Sequence, residues 1–242
     1  MSLAFDWIKS QEFTPSPFGM TVNSSYLIRS ELAKALRRWS HRMHGTMLDF
    51  GCGTSPYREL FQIDTYIGLE IVAPGHPNRS HGAMLQYSGD QIPLDNNTVD
   101  SILMTEVLEH IFNPDRVLSE FHRILRPGGT VLLTCPFVWP LHEEPFDYAR
   151  YTPHALRHLA EAAKFEVLAM EKTGSWSLVL AQLLISYLVQ NTVPAEGRWN
   201  RLGKIFWCVL LNPPSLIAHH LLPTDGKLYL SSILVLRKPD PE

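Results

Sequence analysis

The sequence predicts an α/β fold: a parallel sheet covered on both faces, with an N-terminal helix ahead of it and a helical insertion before its last strand. Three observations predict it. Short apolar runs that read as strands alternate with segments of helical periodicity. The first of those runs ends in a glycine loop, Gly51 to Gly53. Residues 175–227, rich in Leu, Ile and Trp, are far too many for an ordinary connection and need helices of their own.

Each element has a local reason. Residues 1–19 carry Pro15, Pro17 and Gly19 and read as an arm, whereas Leu27, Leu32, Ala35, Leu36 and Trp39 recur at helical spacing within 22–41. Residues 46–50 form a short apolar run ending at glycines, a buried strand. Ser55 is a good N-cap and Pro56 suits a first helical position, so residues 57–61 should begin a helix. Further strands are expected at 65–71, 83–88, 99–105, 130–135, 165–172 and 228–237. Asn113, Pro114 and Asp115 start a helix that should run to about Leu125 and stop at Arg126, Pro127, Gly128 and Gly129. Thr152 and Pro153 start another, to about Ala163. In the insertion, helices are expected at 176–190 and 198–211, with a separate piece after Pro213 and Pro214. The chain therefore divides into an arm and helix (1–45), a ligand-binding core (46–174), a helical insertion or lid (175–227), and the core's last strand with a tail (228–242).

Composition narrows the function classes. With 242 residues, 45% hydrophobic and 19% charged, the chain can bury a sizeable core and is not disordered. The formal net charge of −3 argues against a dedicated nucleic-acid binder; Arg37, Arg38 and Arg42, and Arg123 with Arg126, read as solvated helix faces. Cys52, Cys135 and Cys208 lack metal-knuckle spacing, and Cys52 and Cys135, in or beside apolar runs, read as buried thiols in a reducing, cytoplasmic setting. The first residues show no signal-peptide pattern. The apolar run 178–189 falls short of the roughly 20 residues that span a bilayer.

The glycine loop joins the first strand to the helix expected after it. Glycines there let a ligand approach the backbone, although a tight turn alone would use them too. Two companions add weight. Glu70 ends the second strand about 20 residues on, where a carboxylate accepts ribose hydroxyls. Asp49 stands inside an apolar strand, and a buried carboxylate calls for a partner such as an ammonium or sulfonium.

Leu-Asp-Phe-Gly-Cys-Gly-Thr at 48–54 resembles motif I of class I S-adenosylmethionine-dependent methyltransferases. Tyr-Ile-Gly-Leu-Glu at 66–70 is similar to their second motif, and Ile-Pro-Leu-Asp-Asn-Asn-Thr-Val-Asp at 92–100 to the turn into their fourth strand. Thr-Glu-Val-Leu-Glu-His at 105–110 and Leu-Arg-Pro-Gly-Gly at 125–129 match the motifs after it. The resemblance covers roughly 46–174. It is closest to the type 11 group, especially bacterial members with Gly-Cys-Gly-x-x-Pro-Tyr and a later His-Glu-x-Pro-x-Asp-Tyr-x-Arg-Tyr, here 142–151. It implies a Rossmann-like seven-stranded methyltransferase sheet with its last strand antiparallel, and S-adenosyl-L-methionine as cofactor. Asp49, Gly51, Cys52 and Gly53 would surround the methionyl part, Glu70 the ribose and Ile71 the adenine face. Ser88, Gly89 and Asp90 are candidates for the adenine amine, and Thr105 and Glu106 would line the ligand from the fourth strand. Arg29 either faces the methionyl carboxylate or is a surface arginine. Ser55 stands where many relatives have a third glycine. A nicotinamide fingerprint would place its last glycine at Pro56, which disfavours an NAD-dependent oxidoreductase.

On the acceptor side, 141–151 is dense in functional groups and follows the fifth strand. Its functional reading makes His142 a base or acceptor ligand, with Tyr148 and Arg150 orienting the acceptor; its plainer reading is a surface loop held by an Asp147–Arg150 ion pair. Glu106 and Glu109 would share a face within one helical turn. With His110 and His142 they resemble the divalent-metal set of small-RNA 2′-O-methyltransferases, although the same Val-Leu-Glu-His occurs in relatives with no metal role. The insertion reads as a lid, as a core-completing subdomain, or as an apolar surface for a lipid-linked substrate or peripheral membrane contact. The expected function is methyl transfer to a small-molecule or glycan-type acceptor, on oxygen. A non-catalytic S-adenosylmethionine-binding protein and a nucleic-acid methyltransferase are the alternatives.

Overall fold

A computed structural model describes residues 11–72, 84–89 and 91–241. Strands β1 (Thr46–Phe50), β2 (Thr65–Ile71), β3 (Leu85–Tyr87), β4 (Val99–Thr105), β5 (Leu125–Pro136), β6 (Glu166–Lys172) and β7 (Ser231–Arg237) form one seven-stranded sheet. Its order is β3-β2-β1-β4-β5-β7-β6. Helices α1 (Tyr26–Trp39), α2 (Pro114–Ile124), α3 (Pro153–Ala162), α4 (Trp176–Thr192) and α5 (Arg198–Leu221) complete the regular structure. β1 to β5 pair in parallel. β7 runs the other way. Gly128, near the start of β5, donates its N–H to the Lys238 carbonyl just past the end of β7, and Arg237 meets Glu166 at the start of β6.

The chain divides into two compact units. One holds the residues up to Ala35 with Lys172–Ser231, the other Leu36–Glu171 with Ser232–Glu242. The second is organised around the sheet. Leu48, Phe50, Ile102, Met104, Val131 and Leu133 are buried in its core, and Phe50 meets the edge of Phe121 with ring centroids 5.1 Å apart. Phe121 sits on α2, whose buried Val117, Leu118, Phe121 and Ile124 recur at the spacing of one helical stripe. In the first unit α4 buries Leu178, Val179 and Ile185 around Gln182, whose amide donates to Ser24 O at 2.8 Å and accepts from Ile28 N–H at 3.3 Å. A buried amide with both ends bonded fixes the helix against its neighbours at no desolvation penalty.

Three expectations change. The helix after the glycine loop is only a 3₁₀ turn, Arg58–Leu60. Ser55 adopts φ 55°, and its N–H closes a tight turn onto Cys52 O, so it cannot act as a helix N-cap. Pro213 and Pro214 lie inside α5 instead of ending a helix before it. The carbonyls that lose a helical donor belong to Val209 and Leu210, residues that are about half exposed. β5 starts at Leu125 rather than beyond the glycines, pairing with Val99 across a register shift, with Gly128 at φ 75° making the bend.

The sheet order reverses between β1 and β4, so the segments leaving these two strands diverge and open a crevice at their carboxyl ends. The glycine loop leaves β1 there, and Glu106 leaves β4.

Candidate active site

After β1 the loop folds back over the end of β2: Gly51 and Cys52 both donate N–H to Leu69 O, at 2.8 and 3.1 Å. Gly51 has φ 73°, and a side-chain carbon there would lie 2.6 Å from Val107 Cγ2, so fold and packing both demand glycine. Gly53 differs. It has φ 51°, and a Cβ on it would meet nothing within 4 Å, so this side of the loop is open. Its N–H donates to Glu70 Oε2 at 2.9 Å, while Glu70 Oε1 accepts from Ile71 N–H at 3.1 Å. The loop's own backbone thus holds Glu70 at the end of β2. Two bonds leave a carboxylate capacity for further donors such as ribose hydroxyls.

Asp49 is 3% exposed. The Tyr66 hydroxyl donates to its Oδ2 at 2.6 Å and lies 2.7 Å from Ser55 Oγ. Burial lifts the Asp49 pKa to about 7, against the Tyr66 hydrogen bond and with help from the Glu70 charge. The Tyr66 hydroxyl is itself pushed up by burial and by Asp49, so it stays a donor. Sequence reasoning missed Tyr66 and Ser55 as partners of Asp49. The signal was there: Asp49 pairs with Gly68, and Tyr66, two residues before that glycine, points to the same face of the sheet.

Ile71, Ser88 and Gly89 line a cleft of about 200 Å³ together with His110, Phe146 and Tyr148. Candidates from both the cofactor and the acceptor side therefore share one cavity. Asp90 lies outside the described residues. Thr105 ends β4 opposite Thr134, whose hydroxyl donates to Glu106 Oε1 at 3.0 Å. Arg29 belongs to the other unit, where its guanidinium stands 4.8 Å from the Phe13 ring centroid.

Two segments meet beyond β4 and β5. Glu106 has φ 53° and precedes a 3₁₀ turn, Leu108–His110, so Glu106 and Glu109 do not lie on one regular helical turn as expected. Glu109 is wholly buried, and neither carboxylate oxygen has a hydrogen-bond partner. Burial, with Glu106 nearby, pushes its carboxyl well above the usual range. Its Oε1 lies 3.7 Å from His110 Nε2 and 4.0 Å from His142 Nε2. The two imidazoles meet edge to face at 4.7 Å. His110 Nδ1 faces Phe146 O at 2.9 Å, and burial lowers the His110 pKa. His142 Nδ1 faces Asp147 Oδ2 at 3.2 Å and Pro140 O at 3.3 Å. Asp147 is clasped by both terminal nitrogens of Arg150. Burial opposes the Asp147 charge, but Arg150 and the His142 N–H outweigh it and hold the pKa at about 2. Arg150 also reaches the carbonyls of Trp139, Pro140 and Ala149, so it braces the loop. Tyr148 is 45% exposed, packs edge-on against Phe112, and donates its N–H to Glu109 O.

A glycine turn at the switch point of an open α/β sheet, with one buried carboxylate before it and a second ending the neighbouring strand, defines a nucleoside-binding domain of the Rossmann-like class. The sequence model of a family described as a methyltransferase domain matches residues 23–170, and the chain belongs to that family. A Mycolicibacterium smegmatis protein named "probable S-adenosylmethionine-dependent methyltransferase" is 29% identical over 164 residues, 62% of either chain. An uncharacterized methyltransferase of Mycobacterium ulcerans is 32% identical over 98 residues, 37% of this chain and 38% of its own. The chain thus spans between about a third and two thirds of the length of these relatives. Among solved structures, the [4+2]-cyclase SpnF superposes with a TM-score of 0.55 at 21% identity, covering 90% of this chain and 84% of that one. The cofactor of the domain is S-adenosylmethionine. Its residues fit that group: the open side of Gly53 leaves room for it, and Asp49 offers a buried carboxylate for a cation.

Proposed function

We propose that the chain transfers a methyl group from S-adenosylmethionine to a small-molecule or glycan-type acceptor, at an oxygen atom. The observation that carries the oxygen is the pairing of His142 with Asp147. A hydroxyl must lose its proton as it is methylated, and an imidazole braced through Nδ1 by a carboxylate presents Nε2 for that purpose. The glycan class rests on the resemblance to the bacterial subgroup alone.

In this reading the bound sulfonium supplies an already activated methyl group, and the protein contributes alignment and proton management. Asp49 holds the cationic methionyl end, with Gly51, Cys52 and Gly53 around it and Thr105 and Glu106 opposite. Glu70 takes the ribose hydroxyls, while Ile71, Ser88 and Gly89 flank the base. The acceptor enters beside Tyr148, whose phenol orients it, and Arg150 keeps Asp147 behind His142. His142 Nε2 takes the proton that the acceptor hydroxyl loses as its oxygen is methylated. Three free, buried cysteines support a reducing, cytoplasmic setting.

The test is transfer of labelled methyl from the donor into fractionated cell extract. His142→Ala should lower turnover about 100-fold or more while leaving donor affinity intact, and Glu70→Ala should weaken donor binding. A second reading, donor binding without methyl transfer, gains support because a cyclase shares this fold. Donor binding with no labelled product in any fraction would favour it.

A further inference from the structure

We propose that Glu109, His110 and His142 form a binding site for one first-row divalent cation of the zinc, cobalt or manganese kind. The argument starts from what faces what. Glu109 is wholly buried, with both carboxylate oxygens lacking any hydrogen-bond partner. A buried carboxyl so placed either keeps its proton or takes up a compensating cation. The Nε2 atoms of His110 and His142 lie 3.7 and 4.0 Å from Glu109 Oε1, too far for hydrogen bonds. The ligand-capable atoms of the three residues all lie within 4.8 Å of one another.

The far side of each ring settles what Nε2 offers. His110 Nδ1 has only a carbonyl oxygen before it, and His142 Nδ1 has a carbonyl and the Asp147 carboxylate. Those oxygens are acceptors, so each neutral ring carries its proton on Nδ1 and turns a lone pair outward at Nε2. Two imidazole lone pairs and a carboxyl group then converge, and a cation that displaces the carboxyl proton would satisfy all three. Both Glu109 oxygens lack a hydrogen-bond partner, and a cation would supply a partner. Metal bonds of about 2.0–2.2 Å would draw the three atoms together by between a few tenths of an ångström and about 1 Å. Two imidazoles with one carboxylate select borderline transition metals over magnesium or calcium. Three protein ligands leave a position open, and His110 lines the cleft that Tyr148 also lines.

This deepens the acceptor-side reading above and rests on it for its purpose. His142 then acts on the acceptor hydroxyl through the ion it helps to hold, and a coordinated hydroxyl gives up its proton more readily. Binding of the ion does not depend on that reading.

The experiment uses the full chain, stripped with chelator and titrated with Co²⁺. Visible absorption and equilibrium dialysis report the metal, and calorimetry with the donor serves as the folding control. One ion per chain is expected in the wild type. Glu109→Gln, close in shape, and His142→Ala, at a partly exposed position, should each weaken binding by roughly 100-fold while the donor still binds. Wild-type protein that takes up well under one ion per chain, or variants that bind as the wild type does, would overturn the site. Metal-loaded enzyme that transfers no methyl group would instead count against the acceptor reading and leave the site standing. Transfer undiminished after stripping would refute the metal's role in it.

Discussion

Asp49 shows how much one residue can report. Its folded pKa of about 7 stands far above the ordinary 3.8 because burial penalises the charge more than the Tyr66 hydrogen bond supports it. Between those two values the ligand-free folded protein keeps a proton that the unfolded chain has lost. The Asp49 contribution to stability is therefore greatest below about pH 3.8, declines as pH rises toward about 7, and is level above it. A cationic ligand reverses the preference, since its charge favours the carboxylate. Donor binding is expected to release a proton below about pH 7, with affinity falling toward tenfold per pH unit as the solution is acidified. Calorimetry across pH, in buffers of different ionisation enthalpy, reads both effects. Asp49→Asn should flatten the profile; an unchanged profile in that variant would remove Asp49 from the donor site. The need for a partner was legible in the sequence, because a carboxylate stood in an apolar strand. That a tyrosine supplies it was not, because the contact depends on the pairing register of two strands.

At the scale of elements, legibility followed the strength of the local pattern. β1, β2 and β4 were readable to the residue because each is a short apolar run whose flanks punctuate it. The turn after β1 was not, because Ser55 is bound into the Tyr66 network instead of capping a helix. Nor was the continuity of α5, where exposure of the freed carbonyls decides whether a proline pair can be tolerated. The same exposure raises a further expectation. α4 presents Leu180, Leu184 and Tyr187 to solvent, and α5 presents Trp199, Phe206 and Leu210. Arg198, Arg201 and Lys204 are the charged residues of the two helices, with no carboxylate among them. Exposed apolar residues on helices whose charged residues are all positive suit an anionic lipid surface. No helix among the described residues is long and apolar enough to cross a membrane, so the contact we propose is peripheral. Co-sedimentation with anionic vesicles should carry the protein down, less so as salt rises or with Arg201→Glu and Lys204→Glu together. Protein that stays in the supernatant at low salt would rule this surface out as a lipid contact.

Across the whole molecule, the donor and acceptor sides differ in how they are encoded. The proposed donor side is nearly contiguous: Asp49 to Gly53 and Glu70 leave adjacent strands at the switch point, so motif and fold arrive together. The proposed acceptor side brings Glu109 and His110 against His142 and Asp147 across about 30 residues of chain that include α2 and β5, and only folding reveals which of its polar groups converge. The compact unit built on Leu36–Glu171 and Ser232–Glu242 contains both. Donor binding should therefore stabilise that unit by mass action. At a free concentration about 100-fold above the dissociation constant the gain is about 2.7 kcal/mol, which for a unit of this size corresponds to a rise of several degrees in Tm. Scanning calorimetry with and without S-adenosylmethionine measures it. Glu70→Ala should show a much smaller rise at the same donor concentration, because it removes the carboxylate that the loop holds in place through Gly53. An equal rise in that variant would mean that the donor is held elsewhere, and the switch-point assignment would fall with it.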